Sequence, residues 1–148
     1  MTDGFQRRTS KRADQMARDR QLREDRLAAY GAFAGAIMDY RRAQYDRVHR
    51  RLQEPEGPAH LEARNETYRL RSAAQQEFFR LRLVSDDRQL TQSAERALAL
   101  AESIHHADTR KQVDEAGTRA KAALDEFITA ASATLSDARG RRRFRIRR

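Results

Sequence analysis

The chain contains no cysteine. Disulfides, thiol nucleophiles and cysteine-ligated metals are therefore excluded, while the redox character of its compartment stays open. Proline occurs twice and glycine six times in 148 residues, too few for the many tight turns of a β-rich fold. No run approaches the roughly eighteen apolar residues that a membrane span requires. The opening stretch, MTDGFQRRTSKR, is basic but has no apolar segment behind it, so a conventional secretory signal is not expected and the cytoplasm is the default address. There is no H-E-x-x-H, no G-x-S-x-G, no glycine-rich nucleotide loop, and no helix-turn-helix, zinc-finger or RNA-binding signature. With few inward polar candidates, the expectation is a protein without catalytic residues, cofactor or metal ligands, and not an enzyme.

What is abundant is alanine, arginine, glutamate and leucine, all good helix formers. The formal net charge is +9, and its distribution matters more than its sum. Residues 1–53 carry 13 Lys/Arg against 7 Asp/Glu, net +6. Residues 54–138 carry 11 against 15, net −4, and residues 139–148 carry seven arginines and no acid. The expected organisation is a flexible basic N-terminal segment (1–13), a helical bundle domain (14–138) and an arginine-rich C-terminal tail (139–148).

Apolar residues at three- and four-residue steps predict four helices. The first is expected from about Asp14 to Gln53. Its stripe is Leu22, Ala29, Phe33, Ile37, Tyr40, Gln44, Val48 and Leu52, widened by Tyr30, Ala34 and Met38, and the stretch before Leu22 has too few anchors to pack. Pro55, Gly57 and Pro58 break the chain: proline removes a donor and clashes with the preceding turn, and glycine admits angles that a Cβ forbids. The second helix is expected over 59–83 with an inner line of Leu61, Tyr68, Ser72, Gln75, Phe79 and Leu83, broadened by Phe78 and Leu81. Ser85 is read as the cap of a third helix over 86–105, with Asp86 and Asp87 favouring its positive end and Leu90, Ala94, Ala97, Leu98, Ala101 and Ile104 as its apolar face. Thr109 and Gln112 have capping-box spacing, with Asp108 an alternative cap, and open a fourth helix over 109–139, whose apolar line is Val113, Ala116, Ala120, Leu124, Phe127, Ala131 and Leu135, with Ile128 and Ala123 alongside. Short connections make consecutive helices antiparallel neighbours. The predicted fold is thus an all-α antiparallel bundle of three to four helices of unequal length. Its alternative is an elongated hairpin that completes its core by homodimerisation.

The most specific functional feature is the tail. Arg139, Arg141, Arg142, Arg143, Arg145, Arg147 and Arg148 would create a high local positive potential, and guanidinium forks suit phosphate. Phe144 and Ile146 would share one face of an extended strand, and Gly140 reads as a hinge at the helix end. Nucleic acid, an acidic protein surface and an anionic membrane are the partners such a tail fits, and simple solubilisation is the alternative. Arg7, Arg8, Lys11 and Arg12, and then Arg41, Arg42, Arg47, Arg50 and Arg51, would extend a phosphate footprint. Otherwise they are solvated faces whose stems cover apolar surface.

The histidines give no chelating pair: His105 and His106 are adjacent, and His49 and His60 stand alone. Glu102-Ser103-Ile104-His105 is the only Glu-x-x-His, where a di-iron bundle needs two. The paired acids Glu24 and Asp25, Asp86 and Asp87, and Asp114 and Glu115 define no opposing carboxylates.

The segments Leu27-Ala28-Ala29-Tyr30-Gly31-Ala32-Phe33, Leu81-Arg82-Leu83-Val84-Ser85 and Leu124-Asp125-Glu126-Phe127-Ile128-Thr129-Ala130-Ala131 together resemble small uncharacterised helical proteins of actinobacteria and their phages. The resemblance covers roughly residues 22–138 and leaves out both basic ends. It implies a helical fold and supplies no mechanism and no functional residue. The sequence therefore reads as a helical interaction or scaffold module whose cationic tail engages a polyanion or acidic partner. The alternatives are a sequence-nonspecific nucleic-acid-binding protein and a purely structural dimerisation protein.

Overall fold

The computed structural model describes the backbone of residues 2–146 and the side chains of residues 2–137. It is an all-α, four-helix bundle, with no strand among the described residues. Helix α1 spans Thr2–Gln53, α2 Pro58–Val84, α3 Arg88–Ser103 and α4 Arg110–Ile146, with a 3₁₀ turn at Ile104–His106. The helices are 52, 27, 16 and 37 residues long.

The chain runs up, down, up, down. Arg26 of α1 meets Val84 and Asp86 at the end of α2, and Arg51 meets His105 and Ala107 at the end of α3. Phe33 of α1 packs on Phe127 of α4, and Tyr45 bonds to Asp114 near the start of α4. Helix α1 packs closely on all three others, whereas the backbones of α2 and α4 do not approach one another among the described residues. The buried face of α3 is Leu90 and then Ala94, Ala97 and Ala101. Small side chains let its backbone approach α1 closely.

The core has two parts. Phe33 is its aromatic centre, 4.9 Å from Phe127 edge-on and 6.1 Å from Phe78, with Ile37, Leu81, Leu90 and Leu124 around it. Toward the other end, Val48, Ile104, Ala107, Val113, Ala116 and Ala120 form a smaller cluster.

The turns follow local chemistry. Pro58 opens α2 at its first position, where its missing N–H costs nothing. Gly57 precedes it with φ −73° and ψ 152°, angles open to any residue. Space is what restricts this position: an added Cβ would lie 2.6 Å from the Glu54 carboxylate. Asp87, not Ser85, caps α3, its Oδ1 accepting from the Leu90 amide at 3.1 Å. Ser85 instead accepts from the Asp87 amide at 3.2 Å, closing the turn before it. Thr109 accepts from the Gln112 amide, and the Gln112 side chain accepts from the Asp108 amide. This is the reciprocal cap expected there, displaced by one residue on its return bond.

Three further expectations are corrected. Helix α1 begins at Thr2, not Asp14, and α4 continues through Gly140 to Ile146, so the helix does not end at that glycine. Positions 144 and 146 therefore lie about 200° apart around a helix rather than on one face of a strand. The buried face of α2 is Ala63, Thr67, Ala74, Phe78 and Leu81. Leu61, Tyr68, Ser72, Phe79 and Leu83 are exposed and Gln75 is only half-buried. The true stripe uses alanine and threonine because α2 sits tightly on α1, and that small-residue face was hidden by larger apolar residues pointing outward. The α1 and α4 stripes are buried along the bundle, but Leu22, Leu52, Met38 and Ile128 remain exposed.

Candidate functional site

Along the body, Arg26, Arg41, Arg47, Arg50 and Arg51 of α1 each engage another group of the fold. Arg26 donates through Nε to the Val84 carbonyl at 2.7 Å and lies 3.4 Å from Asp86. Arg51 donates to the carbonyls of His105, at 2.9 Å, and Ala107. Each cation thus satisfies carbonyls that a helix end leaves free, at the negative end of the helix dipole. Arg41 donates to Gly117 at 3.3 Å, Arg47 reaches Thr67 and stacks over Tyr68, and Arg50 pairs with Asp46. The phosphate ridge envisaged at Arg47, Arg50 and Arg51 is thus spent on three different partners. Sequence reading missed the capping roles of Arg26 and Arg51. The available signal was that neither α2 nor α3 is followed by a glycine, leaving their last carbonyls to be met from elsewhere.

A buried polar cluster ties α1 to the end of α3. Gln44 is fully buried, and its Nε2 donates to the carbonyls of Ala101 at 3.2 Å and Glu102 at 2.8 Å. It also lies 3.4 Å from the Tyr40 hydroxyl and 3.3 Å from His105 Nδ1. Burial, aided by the Glu102 charge, pushes the Tyr40 phenol up to about 12. Burial likewise holds His105 below its ordinary value, partly offset by its bond to the Glu102 carbonyl at 2.5 Å. The Glu102 carboxylate is engaged 2.7 Å away by Arg71 of α2. His60 bonds the Pro55 carbonyl, and His49 stacks on Tyr45. Among the described residues no group of three His, Asp or Glu is placed to hold a metal ion.

An open groove of about 530 Å³ lies between α1 and α4, lined by Met38, Arg41, Arg42, Tyr45, Asp114, Gly117, Thr118 and Lys121. Tyr45 donates to Asp114, and that bond to a carboxylate raises the phenol's pKa. The groove holds three cations against one engaged carboxylate. Its cationic lining suits contact with an anion.

Outside the bundle the cations are of a different kind. Apart from half-buried Arg23 and Arg26, residues 2–28 of α1 are exposed. Arg7, Arg8, Lys11 and Arg12 form no ion pair among the described residues, and no acid occurs between Asp3 and Asp14. At the other terminus the backbone of α4 carries positions 139–146 as helix. The side chains of Arg139, Arg141, Arg142, Arg143 and Arg145, and the whole of Arg147 and Arg148, lie outside the described residues. No described helix is long and apolar enough to cross a membrane.

Fold and site together define a small helical bundle with cationic extensions, a polar groove and no assembled metal centre among the described residues. The chain belongs to the KilB plasmid transfer protein family, whose model matches residues 27–135. The match begins at Leu27, just after the arginine that caps α2, and spans the bundle while leaving both basic ends outside. No curated protein and no solved structure matches the chain.

Proposed function

We propose that the protein is a non-enzymatic helical module of plasmid transfer that holds nucleic acid by its cationic ends without reading base sequence. The observation that carries this reading is the segregation of charge. Seven arginines occupy the last ten residues, while the preceding 85 residues are net −4. A fold that only needed solubility would have no reason to concentrate its surplus. Membership in a plasmid transfer family makes a nucleic-acid polyanion the natural partner, ahead of an acidic protein. Binding of this kind is dominated by phosphate contacts and falls steeply with salt.

The test is size exclusion with light scattering of the full chain with a short DNA duplex, at low and at physiological salt. A full chain with all seven tail arginines changed to glutamine runs beside it. Co-migration at low salt that weakens in the variant supports the reading. Absence of co-migration by the wild-type chain overturns it.

A second reading, a homodimeric scaffold, is favoured by one observation. Leu27 and Met38 of α1 and Ile128 of α4 are each about half exposed, and nothing stands within 4 Å of a Cβ built at Gly31 or Gly35. The mass from the same light-scattering run decides it: twice the chain mass without DNA supports the dimer, and 17.2 kDa removes it.

A further inference from the structure

We infer that the two basic ends are not separate features but a single nucleic-acid-binding arm, in which Arg7, Arg8, Lys11 and Arg12 of α1 act together with the arginines of the α4 end. The inference rests on the nucleic-acid reading above and deepens it by adding a second half to the site.

Two contacts fix the geometry. Arg26 of α1 bonds Val84 and lies beside Asp86. Thr134 of α4 donates to Asp87 Oδ2 at 2.9 Å. Both helices are therefore pinned to the same α2–α3 turn, and both continue past it in the same direction. Because α1 and α4 are antiparallel, this end of the bundle receives the beginning of one and the end of the other. At about 1.5 Å per residue, positions 139–146 lie roughly 8–18 Å beyond the turn along α4. By the same rise, positions 12 to 7 lie roughly 21–29 Å beyond it along α1. The two clusters are staggered rather than superposed, and end to end they make a basic track about 20 Å long.

Positions 7, 8, 11 and 12 fall on one side of α1, since residues three and four apart are helix neighbours. They are exposed and have no competing acid in their stretch, so their donors are free for phosphate. A track of this length matches about six base pairs of duplex, at 1.7 Å of axis per phosphate charge. A rod of phosphates matches a straight helical track of this length without having to fold onto it, which favours duplex nucleic acid over an acidic polypeptide.

The experiment is fluorescence anisotropy of a labelled 20-base-pair duplex of arbitrary sequence with the full-length chain, over a salt series. The variants are an arm set (R7Q, R8Q, K11Q, R12Q), a tail set (all seven arginines to glutamine) and both sets combined. A body control (R96Q, R119Q) removes charge from the bundle surface, and circular dichroism confirms the helical content of each. Each phosphate contact contributes about 0.9 to the slope of log K against log salt. The arm set is expected to lower that slope by about 3 to 4 and to weaken low-salt affinity at least tenfold. The tail set should lower it further still, and the body control should leave it unchanged. If the arm set binds with wild-type slope and affinity while the tail set does not, the shared arm is overturned and the nucleic-acid reading survives. If the wild-type chain does not bind duplex, or prefers polyglutamate or anionic vesicles to it, both fall.

Discussion

The arginines of α1 divide at the α2–α3 turn. On the bundle side, Arg26, Arg41, Arg47, Arg50 and Arg51 each engage a carbonyl, a ring, a hydroxyl or a carboxylate of the protein. On the far side, Arg7, Arg8, Lys11 and Arg12 form no ion pair among the described residues. The same residue type has two occupations, and the presence of a packed neighbouring helix separates them: Arg26 and Arg51 meet carbonyls at helix ends, and Arg41 and Arg47 meet groups along α4 and α2. An arginine within reach of free carbonyls is a structural cap, and one on an unaccompanied helix is a free cation. The body should therefore answer to mutation in stability, and the extension in ligand contact.

The largest stability effects belong to the aromatic centre of the body. Phe33→Ala removes a fully buried ring that contacts both Phe78 and Phe127. Urea unfolding should show a loss of about 3–5 kcal/mol. The neighbouring pair on α2 tests the corrected face directly. Phe78→Ala should cost several-fold more than Phe79→Ala, because Phe78 is 9% exposed and Phe79 55%. Equal costs would mean that α2 packs by the larger residues after all.

Next in size is the cap at the end of α3. Arg51→Ala leaves the His105 and Ala107 carbonyls without their donor, and water can replace it only in part because the site is half-buried. A loss of about 1–2 kcal/mol is expected from thermal or urea unfolding. Arg8→Ala, on the extension, should stay within about 0.5 kcal/mol of wild type. A comparable loss at Arg8 would erase the division on which the comparison stands. Between these two is Asp87→Ala, which removes the α3 N-cap and the bond from Thr134 and should cost about 1 kcal/mol. The cap and that bond both hold the Asp87 carboxyl below its usual range. Its contribution is thus present above the unfolded carboxyl pKa and is lost as pH falls through the folded one.

Much of this was legible in the sequence, and unevenly so. Helices α1 and α4 keep their larger apolar residues, among them Phe33, Ile37, Val48, Val113, Leu124 and Phe127, on one helical line, so their buried stripes could be read from Phe33 to Val48 and from Val113 to Ala131. The break at Pro55–Pro58 and the Thr109 cap were equally plain, because proline chemistry and capping are local. Helix α2 misled because a small-residue face such as Ala63, Thr67 and Ala74 carries little hydrophobic signal, while Leu61, Tyr68 and Phe79 carry more and face outward. The fates of the α1 arginines were not legible, since a cap is a relation between a cation and a carbonyl 54 or 58 residues away. The common end of the two basic segments needed Thr134 and Asp87 to be seen together.

The finest test of the division uses pH, because all four histidines lie between residues 49 and 106 and the extensions have none. His105 is held below its ordinary value chiefly by burial, with the neighbouring His106 and Arg47 adding to the depression and the Glu102 carbonyl and charge opposing it. In the unfolded chain the imidazole titrates near 6.5. As pH falls through that value the unfolded state takes up a proton that the folded state resists, so unfolding is favoured. The contribution is complete above the unfolded pKa and is lost progressively below it. Urea midpoints should therefore decline between pH 7 and pH 5 by less than any of the substitutions above, and His105→Gln should flatten that decline. Neutralising Arg7, Arg8, Lys11 and Arg12 should leave it untouched. A gradient that vanished with the extension's charges instead would place the pH response in the arm and join the two regions that the contacts keep apart.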